Sequence, residues 1–173
     1  MDVRYRSWGF LMVRFCGQDS CLVDANGRVK LSPRFLADFR EVGGSTVLRC
    51  LPEGALGVYP EAIWQQMRQG EANAAARAGT SAAYRRQLRL LGALSEQQTI
   101  TNQGRLTIPL HLRERLGLGP GVEVMVVGSE LGVEIWEATR WQAELDLLSQ
   151  HELQKAEADM AAELAAAGQV TSL

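Results

Sequence analysis

The sequence predicts an α+β fold built from two tandem copies of one small unit, and three observations lead there. Two turn motifs, Asp24-Ala25-Asn26-Gly27-Arg28 and Thr101-Asn102-Gln103-Gly104-Arg105, recur 77 residues apart (104 − 27). The same offset places Val47 on Val124, Val58 on Ile135, Tyr59 on Trp136 and Trp64 on Trp141. Around each turn the apolar pattern changes from strand to short helix and back to strands, in the same order. Each unit holds only about 45 residues, too few for a comfortably stable core of its own, so the units are expected to pack on each other or on further copies of the chain.

In the first unit, Cys21 to Val23 reads as a strand entering the Asp24–Gly27 turn, and Arg28 to Leu31 as its return. Asn26-Gly27 between β-type runs signals a hairpin, because both central positions tolerate positive φ. Ser32-Pro33 fits an N-cap followed by a proline in the first helical turn, with Phe35, Leu36 and Phe39 turned inward. Gly43-Gly44 stops that helix. Thr46 to Leu51 and Leu56 to Tyr59 make the next two strands, and Pro60 opens a helix that uses Ile63, Trp64 and Met67.

The second unit repeats the plan. Thr99 to Thr101 leads into its turn and Arg105 to Ile108 returns; Pro109 opens a helix with Leu112 and Leu116 inward. Val122 to Val127 and Val133 to Trp136 are the closing strands. Between the units, Glu71 to Leu94 is alanine-rich and helix-favouring, interrupted at Gly79. Leu88, Leu91 and Leu94 with Tyr84 form one stripe of that linker and Arg85, Arg86 and Arg89 another, most simply a solvated face. After Trp141 an acidic, alanine-rich helix runs toward Gly168. The expected divisions are an N-terminal extension and first strand over 1–17, a first unit over 18–64, a helical linker over 65–93, a second unit over 94–137 and an acidic helix over 138–173.

The formal charge of −2 hides an uneven distribution. Residues 1–49 carry a net +3 and residues 68–115 a net +5, whereas residues 116–173 carry −8. Positive charge thus sits with the two arginine turns and the linker, as expected of a chain that meets an anionic partner through those turns. An arginine just after a turn projects from a stiff strand, so little entropy is lost when it meets a phosphate or a guanine edge. Asp24 can hold the Arg28 guanidinium across its turn, and Lys30 shares the face of Arg28. Alone, one Asp-x-x-Gly-Arg motif reads as a self-clamped turn; its duplication within basic segments favours DNA. Thr101 stands where the first turn has Asp24, so Arg105 lacks a carboxylate and Arg28 is expected to be the better held.

The doubled pattern of turn, arginine, strand, proline, short helix, strand pair and tryptophan resembles the MraZ family of bacterial transcription regulators, two-repeat relatives of AbrB-type swapped-hairpin DNA binders. The likeness covers roughly residues 12 to 145, and Met12-Val13-Arg14-Phe15-Cys16-Gly17 is a scrambled version of the family's opening. The resemblance implies a pseudo-two-fold double-split β-barrel with flanking helices, assembled into homo-oligomeric rings. It also implies repression of a division and cell-wall gene cluster, the gene's own included, through double-stranded DNA carrying repeated short operator boxes. The DNA-binding set expected on this basis is Arg28, Arg105, Lys30 and Arg14, with Asp24, Asn26, Gly27, Asn102 and Gly104 completing it from the turns. Trp64, Trp141, Tyr59 and Trp136 are expected to be structural, the two tryptophans Trp64 and Trp141 as matching core closures. Because the family-like opening begins at Met12, Met1 to Leu11 reads as an added leader or as the product of an upstream start codon.

No Ser-His-Asp or Cys-His arrangement, phosphate loop or metal-type cluster stands in the sequence, so neither catalysis nor a cofactor nor a small-molecule ligand is expected. Cys16, Cys21 and Cys50 read as reduced, half-buried strand cysteines, and His111 and His151 stand alone. No apolar run approaches the roughly 18 to 20 residues that span a bilayer, and Arg4, Arg6 and Arg14 interrupt the start, so the expected place is the cytoplasm, on the nucleoid. An antitoxin with the same unit, its acidic tail wrapping a toxin, and an oligomeric scaffold for acidic proteins are the competing readings.

Overall fold

The computed structural model describes residues 14–69 and 73–170, the side chains from 163 onward excepted. Met1 to Leu11 and Met12 lie outside the described residues, as does the question of the start. The chain divides into two units, Met1–Glu137 and Ala138–Leu173.

In the first of these, the order is β1 (Gln18–Leu22), β2 (Arg28–Lys30), α1 (Pro33–Val42), β3 (Ser45–Cys50), β4 (Leu56–Pro60), α2 (Glu61–Gln69), α3 (Ala74–Thr80), α4 (Ala82–Ala93), β5 (Ser95–Thr99), β6 (Arg105–Thr107), α5 (Leu110–Leu116), β7 (Glu123–Gly128) and β8 (Val133–Glu137). The duplication is visible in the bounds: β1, β2 and β4 recur as β5, β6 and β8 at an offset of 77. β3 recurs as β7 at 78, because the second copy has one residue more from the start of its helix to the start of its strand and one fewer in the following turn. Val47 opposes Tyr59 and Met125 opposes Trp136. The match of Val47 with Val124 is therefore corrected by one position; the counterpart is Met125.

Six strands form an antiparallel sheet in the order β1-β7-β8-β4-β3-β5, and β2 pairs with β6 in a separate ribbon. The expected local hairpins are not formed. β1 pairs with β7 and β5 with β3, so the opening strand of each copy joins the sheet of the other. Each turn is closed as a three-residue loop with its glycine in left-handed backbone, Asp24 N–H donating to the Arg28 carbonyl and Gly27 N–H to the Asp24 carbonyl, both at 2.9 Å, and beyond it β1 and β2 run to different partners. The sheet leaves β1 and β5 as edges, a split and open barrel-like arrangement.

A local two-fold runs through the middle of both sheets. Gly57 faces Glu134 in β4–β8 and Val29 faces Leu106 in β2–β6, and each pair is separated by the repeat offset. Val29 and Leu106 are fully buried and point into one shared core with Phe35, Phe39 and Leu112 of the helices and Leu48, Val58, Val126 and Ile135 of the sheet. Neither copy has a core of its own. Fully burying side chains of this size contributes about 1.5–3 kcal/mol each, and that benefit exists only when both copies are present.

Several local readings are corrected. Ser32 precedes α1 in extended conformation, but its hydroxyl makes no cap bond and is buried without a partner. α2 has no buried residue; Trp64 is half-buried and Met67 exposed, so Trp64 does not close the core. It stacks on buried Tyr59 at 6.0 Å and carries Arg49 and Arg68 over its ring. The linker helix breaks at Ser81, whose hydroxyl caps α4 by accepting from the Tyr84 N–H at 3.1 Å; Gly79 stays inside α3. Cys16 is exposed and outside the strands, while Cys21 is half-buried and Cys50 buried. Burial pushes both of the latter thiols up, which keeps them protonated and unreactive.

The second unit is one helix, α6 (Ala138–Val170), which includes Trp141. Leu147, Leu148, Leu153 and Met160 are exposed along it.

Candidate nucleic-acid interface

The sequence places Arg28 and Arg105 on two separate loops; the fold brings them onto one surface. In the β2–β6 ribbon Arg28 faces Thr107, Val29 faces Leu106 and Lys30 faces Arg105. Residues directly opposite on antiparallel strands share a face, and the alternation sends Val29 and Leu106 inward. Arg28, Lys30, Arg105 and Thr107 therefore share the outer face, with Lys30, Arg105 and Thr107 exposed and Arg28 partly so. Lys30 and Arg105 stand directly across from each other, an arrangement that destabilises a ribbon unless an anion lies over it. Among the described residues neither is in an ion pair.

The turns that present this face are held by reciprocal backbone bonds. Leu31 N–H donates to the Gly104 carbonyl at 2.8 Å, and Ile108 N–H donates to the Gly27 carbonyl at 2.9 Å. Each turn is thus tied to the strand end of the other copy. Within the turns the backbone is the same: Gly27 donates to Asp24 and Gly104 to Thr101, at 2.9 and 2.8 Å. Both glycines have left-handed backbone, φ +72° and +81°, which an L side chain adopts only with strain.

The side chains differ. Asp24 Oδ1 accepts from the N–H groups of Asn26 (2.8 Å) and Arg28 (2.9 Å), and Asp24 Oδ2 accepts from Arg28 Nε at 2.8 Å. The backbone N–H of Arg28 is the largest influence holding the Asp24 carboxyl below the usual range; desolvation, next in size, opposes it, and the Arg28 guanidinium and the Asn26 N–H add to the lowering. At the second turn Thr101 Oγ1 accepts only from the Arg105 N–H, at 3.0 Å, and the Arg105 guanidinium is exposed.

Two arginines that sequence reasoning passed over flank the ribbon. Arg113 of α5 donates from Nε to the Ile108 carbonyl at 2.8 Å, and its guanidinium lies where a side chain on Gly27 would sit. Arg40 of α1 donates from Nη2 to the Asn102 carbonyl at 2.6 Å. The helix of each copy thus supports the turn of the other, a relation that no spacing along the chain announces. Arg14 is not on the ribbon; it stands before β1 and pairs with Glu41 at 3.3 Å, both groups about half exposed. Asn26 and Asn102 are exposed at the turn tips. Tyr59 and Trp136 are buried at matching places in β4 and β8.

Among the described residues no group of three or more His, Cys, Asp or Glu could hold a metal ion, and no helix is long and apolar enough to cross a membrane. His111 approaches Glu96 at 3.6 Å as an exposed pair.

The fold and site define a two-repeat α+β protein whose copies exchange strands and jointly present a cationic ribbon. The sequence model of the family described as "MraZ protein, putative antitoxin-like" matches residues 93–164. A protein named "Transcriptional regulator MraZ" from Saccharopolyspora erythraea is 34% identical over 133 residues, covering 76% of this chain and 87% of that protein. Its namesakes from Thermomicrobium roseum (31% over 137 residues, 78% and 89% covered) and Frankia alni (33% over 132 residues, 76% and 87%) are similar to the same extent. The chain belongs to the MraZ family.

Proposed function

We propose that this protein is a DNA-binding transcriptional regulator that acts from the cytoplasm on the nucleoid and does no catalysis. Its relatives carry the name of transcriptional regulators. The observation that carries the reading is the ribbon, on which Arg28, Lys30 and Arg105 share one outward face with two like charges opposed. A two-stranded ribbon fits the major groove, where arginine reads guanine as a fork and lysine meets phosphate.

Three cations are few for tight binding at physiological salt. Several subunits in a ring, each offering one ribbon to a series of short repeated boxes, supply the missing affinity by effective concentration. On this reading the protein represses the promoter of a division and cell-wall gene cluster that includes its own gene. Residues 18–64 and 94–137 act as the two DNA-facing units, 65–93 as the connection between them and 138–173 as an acidic appendage.

The test is a footprint and a salt titration on the DNA upstream of the gene. The expected result is protection at regularly spaced short boxes, with log affinity falling steeply as log salt rises. Protection of no discrete boxes would overturn the reading. A partner toxin captured through α6, whose exposed leucines alternate with acids, would favour the antitoxin reading in its place.

A further inference from the structure

Two helices carry exposed faces of opposite charge. On α6, Ser149, Leu153, Ala156 and Met160 follow a 4-3-4 spacing, so they line one side of the helix. Leu153 and Met160 on that line are 65% and 63% exposed. Glu157 borders the line on one side, Glu152 and Asp159 on the other. Residues 144–160 hold five carboxylates, those three with Glu144 and Asp146, against Lys155 as the one lysine or arginine. On α4, Ala82, Arg86, Arg89 and Ala93 follow the same 4-3-4 spacing, and all four are exposed. Tyr84, Leu88 and Leu91 turn the opposite side of that helix inward. Residues 74–93, α3 and α4 together, hold Arg77, Arg85, Arg86 and Arg89 and no acid.

A leucine and a methionine left in water on one helix side gain free energy when a second surface covers them. A second α6 is a poor cover. In either direction, the carboxylates bordering its own line would meet those of an identical helix, and like charges at such flanking positions drive helices apart. A better cover brings cations on both sides of a slim apolar surface, and α4 does this. Arg86 and Arg89 stand one to each side of the Ala82–Ala93 line, where their stems can lie along apolar neighbours while their heads reach carboxylates. Ala82 and Ala93 leave room for side chains as large as Leu153 and Met160. The two lines are equally long, about 17 Å at 1.5 Å per residue.

We propose that α6 of one copy of this chain packs lengthwise on the exposed side of α4 of the next, with Leu153 and Met160 as the apolar contacts and Arg86 and Arg89 answered by Glu152, Glu157 and Asp159. The two faces are different surfaces of one chain, so the contact is head-to-tail, the kind that closes into a ring when the rotation allows. This contact rests on the assembly proposed above, for which it supplies the joint, and uses nothing of the β2–β6 ribbon.

Sedimentation equilibrium of full-length chains tests the contact. A donor variant carries Leu153→Gln with Met160→Gln, and a receiver variant Arg86→Glu with Arg89→Glu. All four positions are exposed, and circular dichroism confirms folding. Expected is an assembly of more than two native chains, and for each variant alone an association weaker by at least about tenfold, the worth of a few buried methylenes or of one charge-assisted bond. Mixed in equal amounts, the two variants should pair one to one and stop there, since each keeps the half that the other has lost. Adding Glu157→Arg and Asp159→Arg to the receiver variant should restore part of the larger assembly. A monomeric native chain would overturn the contact together with the proposed ring. Native-like assembly of both variants, or no pairing in their mixture, would overturn the contact and leave the ring standing. Loss of assembly in the donor variant with none in the receiver variant would do the same, because α6 would then be pairing with itself or with another surface.

Discussion

The two turns of the ribbon share a backbone and differ in one side chain, and that difference separates scaffold from charge placement. In both, a left-handed glycine and the same pair of backbone bonds set the path of the chain. With Thr101 in place of Asp24 the path is kept, so the carboxylate is not needed to fold the turn. What it adds is a fixed bearing for Arg28, anchored through Nε. Arg105 has no such bearing and must give up rotamer freedom when it meets a partner. One turn is a preset contact and the other a recruited one.

The largest expected effect comes from removing the preset contact. Arg28→Ala should push operator binding out of range, by more than about 100-fold once a loss of roughly 3 kcal/mol per base contact is multiplied over several subunits. Sedimentation should show an unchanged assembly, and normal affinity in a gel shift would remove Arg28 from the interface. Next in size is the backbone. Gly27→Ala should cost about 1–2 kcal/mol for the left-handed position, with about 1 kcal/mol more for breaking the Arg113–Ile108 bond as the guanidinium is displaced. Gly104→Ala, whose new side chain would meet only the Leu31 carbonyl oxygen at 3.1 Å and Leu36 Cδ2 at 3.3 Å, should cost the backbone share alone. Urea denaturation of both glycine variants in an Arg113→Ala background sharpens the contrast: that change should relieve part of the Gly27 penalty and none of the Gly104 penalty.

Smaller again is Arg105→Ala, with an expected loss of about tenfold or less, because part of the contact's worth is spent on ordering the side chain. Equal losses for Arg28 and Arg105 would contradict the distinction between the turns. Thr101→Asp should narrow the gap by giving Arg105 the bearing that Arg28 has. The smallest signal is a titration. The Asp24 carboxyl should titrate below the ordinary aspartate value of about 3.9, so its clamp is present at neutral pH and is lost only as pH falls through that depressed value. In Arg28→Ala the shift should shrink without vanishing, since the Arg28 backbone N–H, the larger cause, is still there. An Asp24 value at or above 3.9 by NMR would show the clamp to be absent in solution.

Much of the fold was legible because it is written locally. The apolar spacing of Phe35 and Phe39, and of Leu112 and Leu116, marks two short helices whose inner faces the structure buries. The apolar residues of β4, β7 and β8 are likewise their own evidence. Pairing was not legible. β1 and β5 read Gln-Asp-Ser-Cys-Leu and Ser-Glu-Gln-Gln-Thr, polar stretches with no inner face of their own, and they are strands only because β7 and β3 lie beside them. Sequence reasoning accordingly began both strands late and closed them into hairpins. The arginines of the ribbon could be found from the repeated motif; their meeting on one face could not, since it depends on which strand Arg28 finds opposite. Arg113 and Arg40 were missed for the same reason, each serving a turn in the other copy.

The exchange of opening strands also sets a timetable for synthesis. β1 leaves the ribosome long before its partner: Gln18 and Val127, which face each other in the sheet, are 109 positions apart (127 − 18). At translation speeds of about 5–20 residues per second, the nascent strand waits on the order of 5–20 s with both edges bare. A greasy strand left waiting in this way would invite aggregation; Gln18, Asp19 and Ser20 make a poor template for strangers.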